Sequence, residues 1–386
     1  MKEQLIIENI ELFKVPPRWL FVKVTTREGI IGWGEPVVEG KADTVAACVM
    51  ELQQYLIGKS ASNIEDIWQI LYRGGFYRGG PILMSAISGI DQALWDIKGK
   101  FLGVPVYDLL GGAVRHKMKM YCWIGGDHPE VLLEQAHEKV KAGFQAVKMN
   151  ATGGMDWIST LKDVKQVANN IRLLREEFGN DLDIGLDFHG RVHKGMVKRL
   201  IDELAPYDPM FIEEPVLSEN NDALKHIYPY TSIPIATGER MFSRWDFKKI
   251  LEEGVVDIIQ PDLSHAGGIS EVRRIATLAE AYDVALAPHC PLGPISLASA
   301  LQVDFVSANA FIQENSIGIH YNQGFDLLDY VLNPEIFDIK DGYIELFQKP
   351  GLGVDMNEEK LREGQKIGHN WSNPIWRGPD GNFTEW

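Results

Sequence analysis

The chain has 386 residues, 45% of them hydrophobic, and its 54 acidic against 38 basic residues give a formal net charge of -16. This length allows a large core and predicts about two domains, while the negative charge argues against a nucleic-acid partner or an anionic membrane surface. No stretch approaches the roughly 18 uninterrupted apolar residues of a membrane span. Cys48, Cys122 and Cys290 lack metal-ligand spacing and residues 1–30 lack a targeting pattern, so the sequence predicts a reduced cytoplasmic protein.

The first part of the chain alternates apolar and polar residues in the manner of β-strands. Residues 5–13 and 20–26 follow this pattern, and REGIIGWGE comes next at a turn signal. Over residues 44–102 the apolar spacing becomes helical, interrupted by a glycine-rich loop at 74–80. We therefore predict an antiparallel meander followed by helices, which together form an α+β domain over residues 1–115.

From residue 116 onward, short apolar runs alternate with long helical connections such as 129–142 and 270–281. Eight of these runs have the character of strands: 118–123, 146–149, 182–186, 210–212, 233–236, 257–260, 285–287 and 310–313. Eight strands predict a closed barrel over residues 116–323. The alternative, an open doubly wound sheet, usually carries a glycine-rich phosphate loop, and the sequence has no G-x-G-x-x-G motif. Residues 324–386, with their aromatic end, are predicted to pack back on the opening domain.

Three acids, Asp187, Glu213 and Glu239, close neighbouring predicted strands at equal intervals, since 213 minus 187 and 239 minus 213 are both 26. Equal spacing places them on one rim of the barrel, at the carboxyl ends of parallel strands. Each alone would be an ordinary helix N-cap. Three together repel one another unless a cation lies among them, and Mg²⁺ prefers such oxygen ligands. The spacing therefore predicts a metal site.

The sequence motifs at the strand ends resemble those of a known family. LDIGLDFHG, FIEEP, ATGER, QPDLSHAGG and APHCPLGP resemble the enolase superfamily, in its mandelate racemase subgroup, and the similarity continues through SIGIHYN to the terminal NPIWR. It is greatest to members that dehydrate the sugar acid D-galactonate. The resemblance implies a (β/α)7β TIM-like barrel with an α+β capping domain from both chain ends, and Mg²⁺ held by Asp187, Glu213 and Glu239. It also implies a hydro-lyase that forms 2-dehydro-3-deoxy-D-galactonate.

The implied reaction removes the proton at C2, beside the substrate carboxylate. A histidine with a pKa of about 6.5 cannot take this proton unaided. Mg²⁺ at the carboxylate would neutralise the developing charge, which is the electrostatic strategy of enolase-type sites. Lys148 is suited to a second positive contact on the same carboxylate, and Glu314, if it holds a proton, to a hydrogen bond from the other side.

Two histidines divide the proton transfers. His289 is the expected base, because Asp262 ends the neighbouring strand and can hold one ring nitrogen while the other faces substrate. A helix cap is the alternative role for His289. His189 lies two residues past Asp187, so it points to the same side of an extended stretch. The resemblance assigns it the protonation of the departing 3-hydroxyl.

One position departs from the wider subgroup. Racemases and many epimerases there carry Lys-x-Lys after the second strand, whereas this chain has Lys148-Met149-Asn150. Asparagine cannot act as a base, so Asn150, predicted to contact substrate, favours proton removal from one face followed by elimination. A dehydratase or epimerase for another aldonate or aldarate, and a sugar-acid sensor without activity, remain the alternatives.

Several further residues have both functional and ordinary structural interpretations. Glu214 and Arg240 are expected to support the ligands from behind, and the Cys290 thiol to be buried and inert. Three other histidines either enter the site or lie elsewhere: His193, His265 and His320. The Arg18–Trp19 and Gly74–Gly80 loops resemble loops that close over substrate, and ordinary turns are the alternative. A homo-oligomer is expected.

Overall fold

The computed structural model describes residues 4–125, 130–319 and 321–386. The first strands form an antiparallel sheet in chain order: β1 (Ile7–Val15), β2 (Trp19–Thr26) and β3 (Ile31–Gly34). Alternate residues of β2 face two different cores, because successive side chains of a strand point to opposite faces. Val22 and Val24 pack with the helices that follow, whereas Trp19 and Phe21 join the core of the barrel.

Four helices follow this sheet: α1 (Ala42–Leu52), α2 (Ile64–Arg73), α3 (Pro81–Leu102) and α4 (Val106–Leu109). The long helix α3 lies directly on β3. A Cβ atom on Gly34 would come within 1.8 Å of the carbonyl oxygen of Gly89, so this approach requires glycine. The predicted antiparallel meander followed by helices is confirmed.

The described residues contain eight parallel strands that curl into a barrel: β4 (Lys117–Ile124), β5 (Ala146–Asn150), β6 (Asp183–Asp187), β7 (Phe211–Glu213), β8 (Ile235–Thr237), β9 (Ile258–Ile259), β10 (Ala285–Leu286) and β11 (Gln313–Asn315). Strands β4 to β10 pair in chain order. The barrel closes because Ala310 forms a parallel bridge with Leu286, and Glu314 pairs with Tyr121 of β4. The predicted barrel is therefore confirmed.

Helices on the outside connect these strands: α5 (Leu132–Lys141), α6 (Leu161–Phe178), α7 (Lys194–Leu204), α8 (Leu224–Ile227), α9 (Arg244–Glu253), α10 (Gly268–Glu280) and α11 (Pro294–Val306). Helix α6 shows why they form. Thr160 and Asp163 make a reciprocal capping box at its start, and residues at helical spacing, among them Val164, Ile171 and Leu174, are buried on the barrel side. Residue 129, predicted to begin α5, lies outside the described residues.

The last part of the chain contacts both units. Strand β12 (Tyr343–Glu345) pairs antiparallel with β4, and Lys23 of β2 forms an ion pair of 2.9 Å with Glu358 of α12 (Glu358–Ile367). Strands β13 (Trp376–Arg377) and β14 (Phe383–Thr384) then form a hairpin. The aromatic end lies near both units, because Trp371 lies 5.7 Å from the guanidinium carbon of Arg18 and Trp376 lies 4.7 Å from that of Arg191 in the barrel.

Among the described residues, no helix combines the length and apolar character needed to cross a membrane.

Candidate active site

The predicted site residues lie together at the carboxyl ends of the barrel strands. Lys148 and Asn150 belong to β5, and Asp187 and Glu213 are the last residues of β6 and β7. The parallel register pairs Asn150 with Asp187 and Asp187 with Glu213. Glu239 follows the end of the next strand, β8. A shared register and direction thus bring polar side chains from separate parts of the sequence to one rim.

Lys148 is the buried cation at the centre of the acids. Its Nζ lies 2.9 Å from Glu213 Oε2, 2.9 Å from Glu314 Oε1 and 3.5 Å from Asp187 Oδ2. Burial favours the neutral amine, but Glu213 and Glu314 outweigh it and hold the pKa of Lys148 well above its ordinary value. Lys148 is therefore a permanent positive charge in the site. Glu314 also accepts a hydrogen bond from the backbone N–H of Cys290 at 2.8 Å. Lys148 and this N–H group are both donors, so the two carboxylate oxygens of Glu314 act as acceptors.

The carboxylates leave oxygen atoms available to a divalent cation. Asp187 Oδ2 and Glu239 Oε2 are buried and accept no hydrogen bond from the described residues. The donor atoms of Asp187, His189 and Glu239 lie within 4.8 Å of one another, whereas Glu213 is engaged by Lys148. Burial and the neighbouring Asp187 raise the pKa of Glu213 well above its usual range despite Lys148. Asp187 Oδ2 lies 3.2 Å from His189 Nε2, and Glu239 Oε2 lies 3.3 Å from His289 Nε2. Carboxylate oxygens are ligands that hard divalent cations prefer, so this donor set fits a divalent metal.

His289 is held by the carboxylate that the sequence predicts. Its Nδ1 lies 2.8 Å from Asp262 Oδ2, and its Nε2 lies 3.3 Å from Glu239 Oε2. Asp262 is itself fixed, because its other oxygen accepts the backbone N–H of Ser264 at 2.6 Å. Burial lowers the pKa of His289, but Glu239, Asp262 and Glu314 outweigh it and raise the pKa well above its ordinary value. The imidazole therefore binds a proton readily.

His189 is oriented by a residue that the sequence reasoning missed. Arg191 Nη2 lies 3.0 Å from His189 Nδ1, and because a guanidinium only donates, Nδ1 must accept. The proton of a neutral His189 therefore lies on Nε2, which is 3.2 Å from Asp187 Oδ2. Burial and Arg191 lower the pKa of His189 although Asp187 opposes them. The ring stacks on Trp123 with a centroid separation of 5.7 Å.

Glu214 and Arg240 form an ion pair beside the acids, and Arg240 lines the cavity at this rim. Arg240 Nε donates to Glu214 Oε1 at 3.0 Å and Nη2 bonds the other oxygen. Burial, followed by Glu239, raises the pKa of Glu214 to about 8, although Arg240 opposes this. Burial favours the neutral acid at Glu239, but His289, followed by His189 and Arg240, outweighs it and lowers the pKa of Glu239 to about 2. Glu239 is therefore the anionic member that faces the cavity.

The cavity at this rim has a volume of about 350 Å³ and is lined by residues from the whole chain. Predicted residues that line it are Lys148, His189, Glu239, His289 and Glu314. Sequence reasoning missed many of the others, among them Glu39, Phe242, Trp123, Tyr321, Trp371 and Trp386. Trp371 and Trp386 carried a signal, the aromatic end of the chain, but it did not indicate the barrel mouth.

The remaining candidates fall in different places. Asn150 is fully buried at the end of β5, is not among the lining residues, and its amide atoms have no partner among the described residues. His193 stacks on Trp157 at 4.0 Å, whereas His265 lines the cavity. Burial raises the pKa of Cys290 well above its usual range, which is typical of an inert thiol. His320 lies outside the described residues.

The two predicted lid loops also differ. Arg18 lines the cavity. The Gly74–Gly80 loop carries the exposed side chains of Phe76 and Tyr77 and contributes no residue to the lining.

Comparison with known families agrees with this geometry. Residues 16–111 match the family described as mandelate racemase / muconate lactonizing enzyme, N-terminal domain, and residues 131–360 match the one described as enolase C-terminal domain-like. The D-galactonate dehydratase of Pectobacterium atrosepticum is 57% identical over 380 residues, which cover 98% of this chain and 100% of the relative. The D-galactonate dehydratase of Ralstonia pickettii has the same identity and coverage.

Solved structures share the fold. An enolase from Agrobacterium radiobacter, named as a candidate galactarate dehydratase and solved with sodium and L-malate, has a TM-score of 0.88 at 33% identity, covering 98% of this chain and 99% of that chain. The resemblance inferred from the strand-end motifs is confirmed. The chain therefore belongs to the mandelate racemase and muconate lactonizing enzyme family of the enolase superfamily.

Proposed function

We propose that the protein dehydrates D-galactonate to 2-dehydro-3-deoxy-D-galactonate. The observation that carries this proposal is a pair of histidines, His289 and His189, that line one cavity. Asp262 fixes Nδ1 of His289, and Arg191 fixes Nδ1 of His189. The curated D-galactonate dehydratases that are 57% identical over nearly the whole chain support the substrate. Proton removal at C2 and protonation of the 3-hydroxyl require two such groups.

His289 is the proposed base. Asp262 accepts a hydrogen bond from the N–H group at Nδ1. The lone pair of a neutral imidazole therefore lies on Nε2 and is available for the C2 proton. After the transfer, Asp262 and Glu239 stabilise the imidazolium from its two sides. Asp262 is in this proposal a positioning residue.

His189 is the proposed acid. Arg191 holds the ring through Nδ1. The protonated ring gives its Nε2 proton to the departing 3-hydroxyl, the C3–O bond breaks with release of water, and a neutral His189 remains. The enol that results takes a proton at C3 and becomes the 2-keto acid. Asn150 offers no second base on the other side of C2, which favours elimination over epimerisation.

The substrate carboxylate is proposed to lie at Lys148, the permanent cation of the site, with Glu314 beside it. We propose Mg²⁺ as the metal, held by Asp187, Glu213 and Glu239, where it would neutralise the charge that develops on the substrate carboxylate. Hard oxygen ligands are the type that Mg²⁺ prefers. Binding of D-galactonate by Lys148 does not depend on that choice.

The test is an assay of 2-keto acid formation on a panel of aldonates and aldarates, with Mg²⁺ or with EDTA. We expect turnover of D-galactonate with Mg²⁺, and absence of turnover for every sugar acid would refute the proposal. His289→Asn should abolish exchange of the C2 proton in deuterated water. His189→Asn should retain that exchange while losing 2-keto acid, and undiminished exchange in His289→Asn would require another base.

We further propose a cytoplasmic homo-oligomer in which residues 1–115 form the capping domain, 116–323 the barrel and 324–386 the returning segment. The exposed aromatic side chains of Phe76 and Tyr77 support self-association, because large exposed apolar groups are typical of interaction sites. Light scattering coupled to gel filtration measures the assembly, and a monomer would contradict it.

A further inference from the structure

The capping side of the cavity presents a charged pair that the proposed chemistry does not use. Among the described lining residues from the first 115 positions, the charged ones are Arg18 and Glu39. Arg18 Nη1 donates to Glu39 Oε1 at 3.0 Å, and the Arg18 side chain is only 2% exposed. This pair lines the same cavity as Lys148. A substrate whose carboxylate is bound at Lys148 would extend its far end into this shared space.

Each nitrogen of Arg18 already has a partner. Besides the bond to Glu39, Nε donates to Asn322 Oδ1 at 3.3 Å and Nη2 donates to the carbonyl oxygen of Pro291. The rings of Tyr321 and Trp371 lie 5.6 Å and 5.7 Å from the guanidinium carbon. A second substrate carboxylate would need the two-pronged contact that arginine usually offers. Arg18 could provide it only by giving up these bonds.

Glu39 keeps its negative charge. Its second oxygen lies 3.5 Å from His265 Nε2, whose other ring nitrogen, Nδ1, is 3.1 Å from Ser85 Oγ. Burial favours the neutral acid, but His265 and Arg18 outweigh it and hold the pKa of Glu39 well below its ordinary range. An anionic carboxylate accepts hydrogen bonds from hydroxyl groups and repels another carboxylate.

We propose that Glu39 restricts the enzyme to sugar acids with a neutral polyol end and excludes the diacids in which that end is a second carboxylate. This inference rests on the proposed function, since it takes the C1 carboxylate to bind at Lys148. The acceptor oxygens of Glu39 receive the hydroxyl hydrogens of the aldonate. An aldarate places a like charge there, and repulsion of this kind is how a site discriminates against a wrong ligand.

The test compares D-galactonate with galactarate, which has the same carbon chain with C6 as a carboxylate, using the full-length Mg²⁺-loaded protein. Glu39→Gln leaves Arg18 and His265 without their anion, so the ratio of kcat/KM for galactarate to that for galactonate should rise by at least about tenfold. Glu39→Asp keeps the charge and should keep a ratio near that of the natural protein. The control Asp43→Asn removes an exposed acid that pairs with Lys14 and should leave the ratio unchanged.

The inference would be overturned if the natural protein used both acids equally, or if Glu39→Gln left the ratio unchanged. In either case, turnover of galactonate would still uphold the proposed function. Calorimetric binding of the two acids gives the same comparison for a variant that binds without turnover. If galactonate is bound but never converted, the proposed function fails and the binding ratio still decides the role of Glu39. Circular dichroism checks that each variant is folded.

Discussion

Replacing Asp262 by asparagine tests whether the tautomer of His289 controls proton removal. In the natural protein the two oxygens of Asp262 accept from His289 Nδ1 at 2.8 Å and from the backbone N–H of Ser264 at 2.6 Å. Asparagine has a single acceptor oxygen. If that oxygen stays on Ser264, the amide NH2 group faces Nδ1, and the proton of a neutral His289 must move to Nε2, where it blocks the base.

If the amide introduced by Asp262→Asn had the reverse orientation, its oxygen would accept from His289 Nδ1 and keep the proton of the imidazole there. Its NH2 group would then face the backbone N–H of Ser264, and two donors would be left without an acceptor. Such a lost bond costs about 1–3 kcal/mol, and loss of the charged hydrogen bond to the imidazolium costs about 1.5–3 kcal/mol more. Together these are about 2.5–6 kcal/mol. Because about 1.4 kcal/mol is tenfold in rate, exchange of the C2 proton should fall by about 10²–10⁴-fold.

The assay is deuterium exchange at C2 together with kcat/KM across a range of pH. Glu239 and then Asp262 raise the pKa of His289 against the effect of burial. Activity that requires neutral His289 is lost as the pH falls below this pKa, so Asp262→Asn should move the loss to lower pH. Asp202→Asn, an exposed change on α7, is the control. A rate loss below tenfold, or a shift to higher pH, would refute the reasoning.

Three further changes test other parts of the structure. Glu35→Ala removes the acceptor of two backbone N–H groups at the start of α11, so urea unfolding should show a free energy lower by about 2–6 kcal/mol, at about 1–3 per group; a loss under about 1 kcal/mol would contradict this. Trp386→Ala should raise KM for D-galactonate by about tenfold, the usual scale for an aromatic contact with a ligand, whereas Phe383→Ala, an exposed residue three positions earlier, should not. Mg²⁺ at a hundred times its Kd should stabilise the protein by about 2.7 kcal/mol in thermal unfolding, and Asp187→Asn should lose this gain if the metal lies where we propose.

The barrel and the rim were predictable because both follow from local patterns. Short apolar runs give the strands, parallel pairing aligns their carboxyl ends, and equal spacing of Asp187, Glu213 and Glu239 then brings the acids together. The last strand was predicted three residues early, at 310–313, whereas the paired residues are Gln313–Asn315. Its two edges pair at different points, Ala310 on one side and Glu314 on the other, and its second half is polar because it lines the site.

The cavity wall was not predictable from the sequence for a physical reason. Glu39 and Trp386 meet the barrel only through tertiary packing, and neither belongs to a periodic pattern that names its partner. The bond from Arg191 to His189 is local, two residues along the chain, but arginine at that spacing has many other uses. Sequence therefore indicates the groups proposed to move protons better than the groups proposed to select the substrate.

Selection and chemistry are nevertheless coupled through the capping domain. Arg18 bonds Glu39, the proposed selector, and also the carbonyl oxygen of Pro291, two residues after the base His289. Glu35 holds the same loop through the N–H group of Gly293 at 2.6 Å. A substrate end that pulls Arg18 away from Glu39 would disturb the segment that carries His289, and small displacements of a catalytic group reduce rates strongly. Repulsion at Glu39 by itself would only raise KM for a diacid. Because displacement of Arg18 would also disturb the loop after His289, we expect a diacid to lose kcat as well.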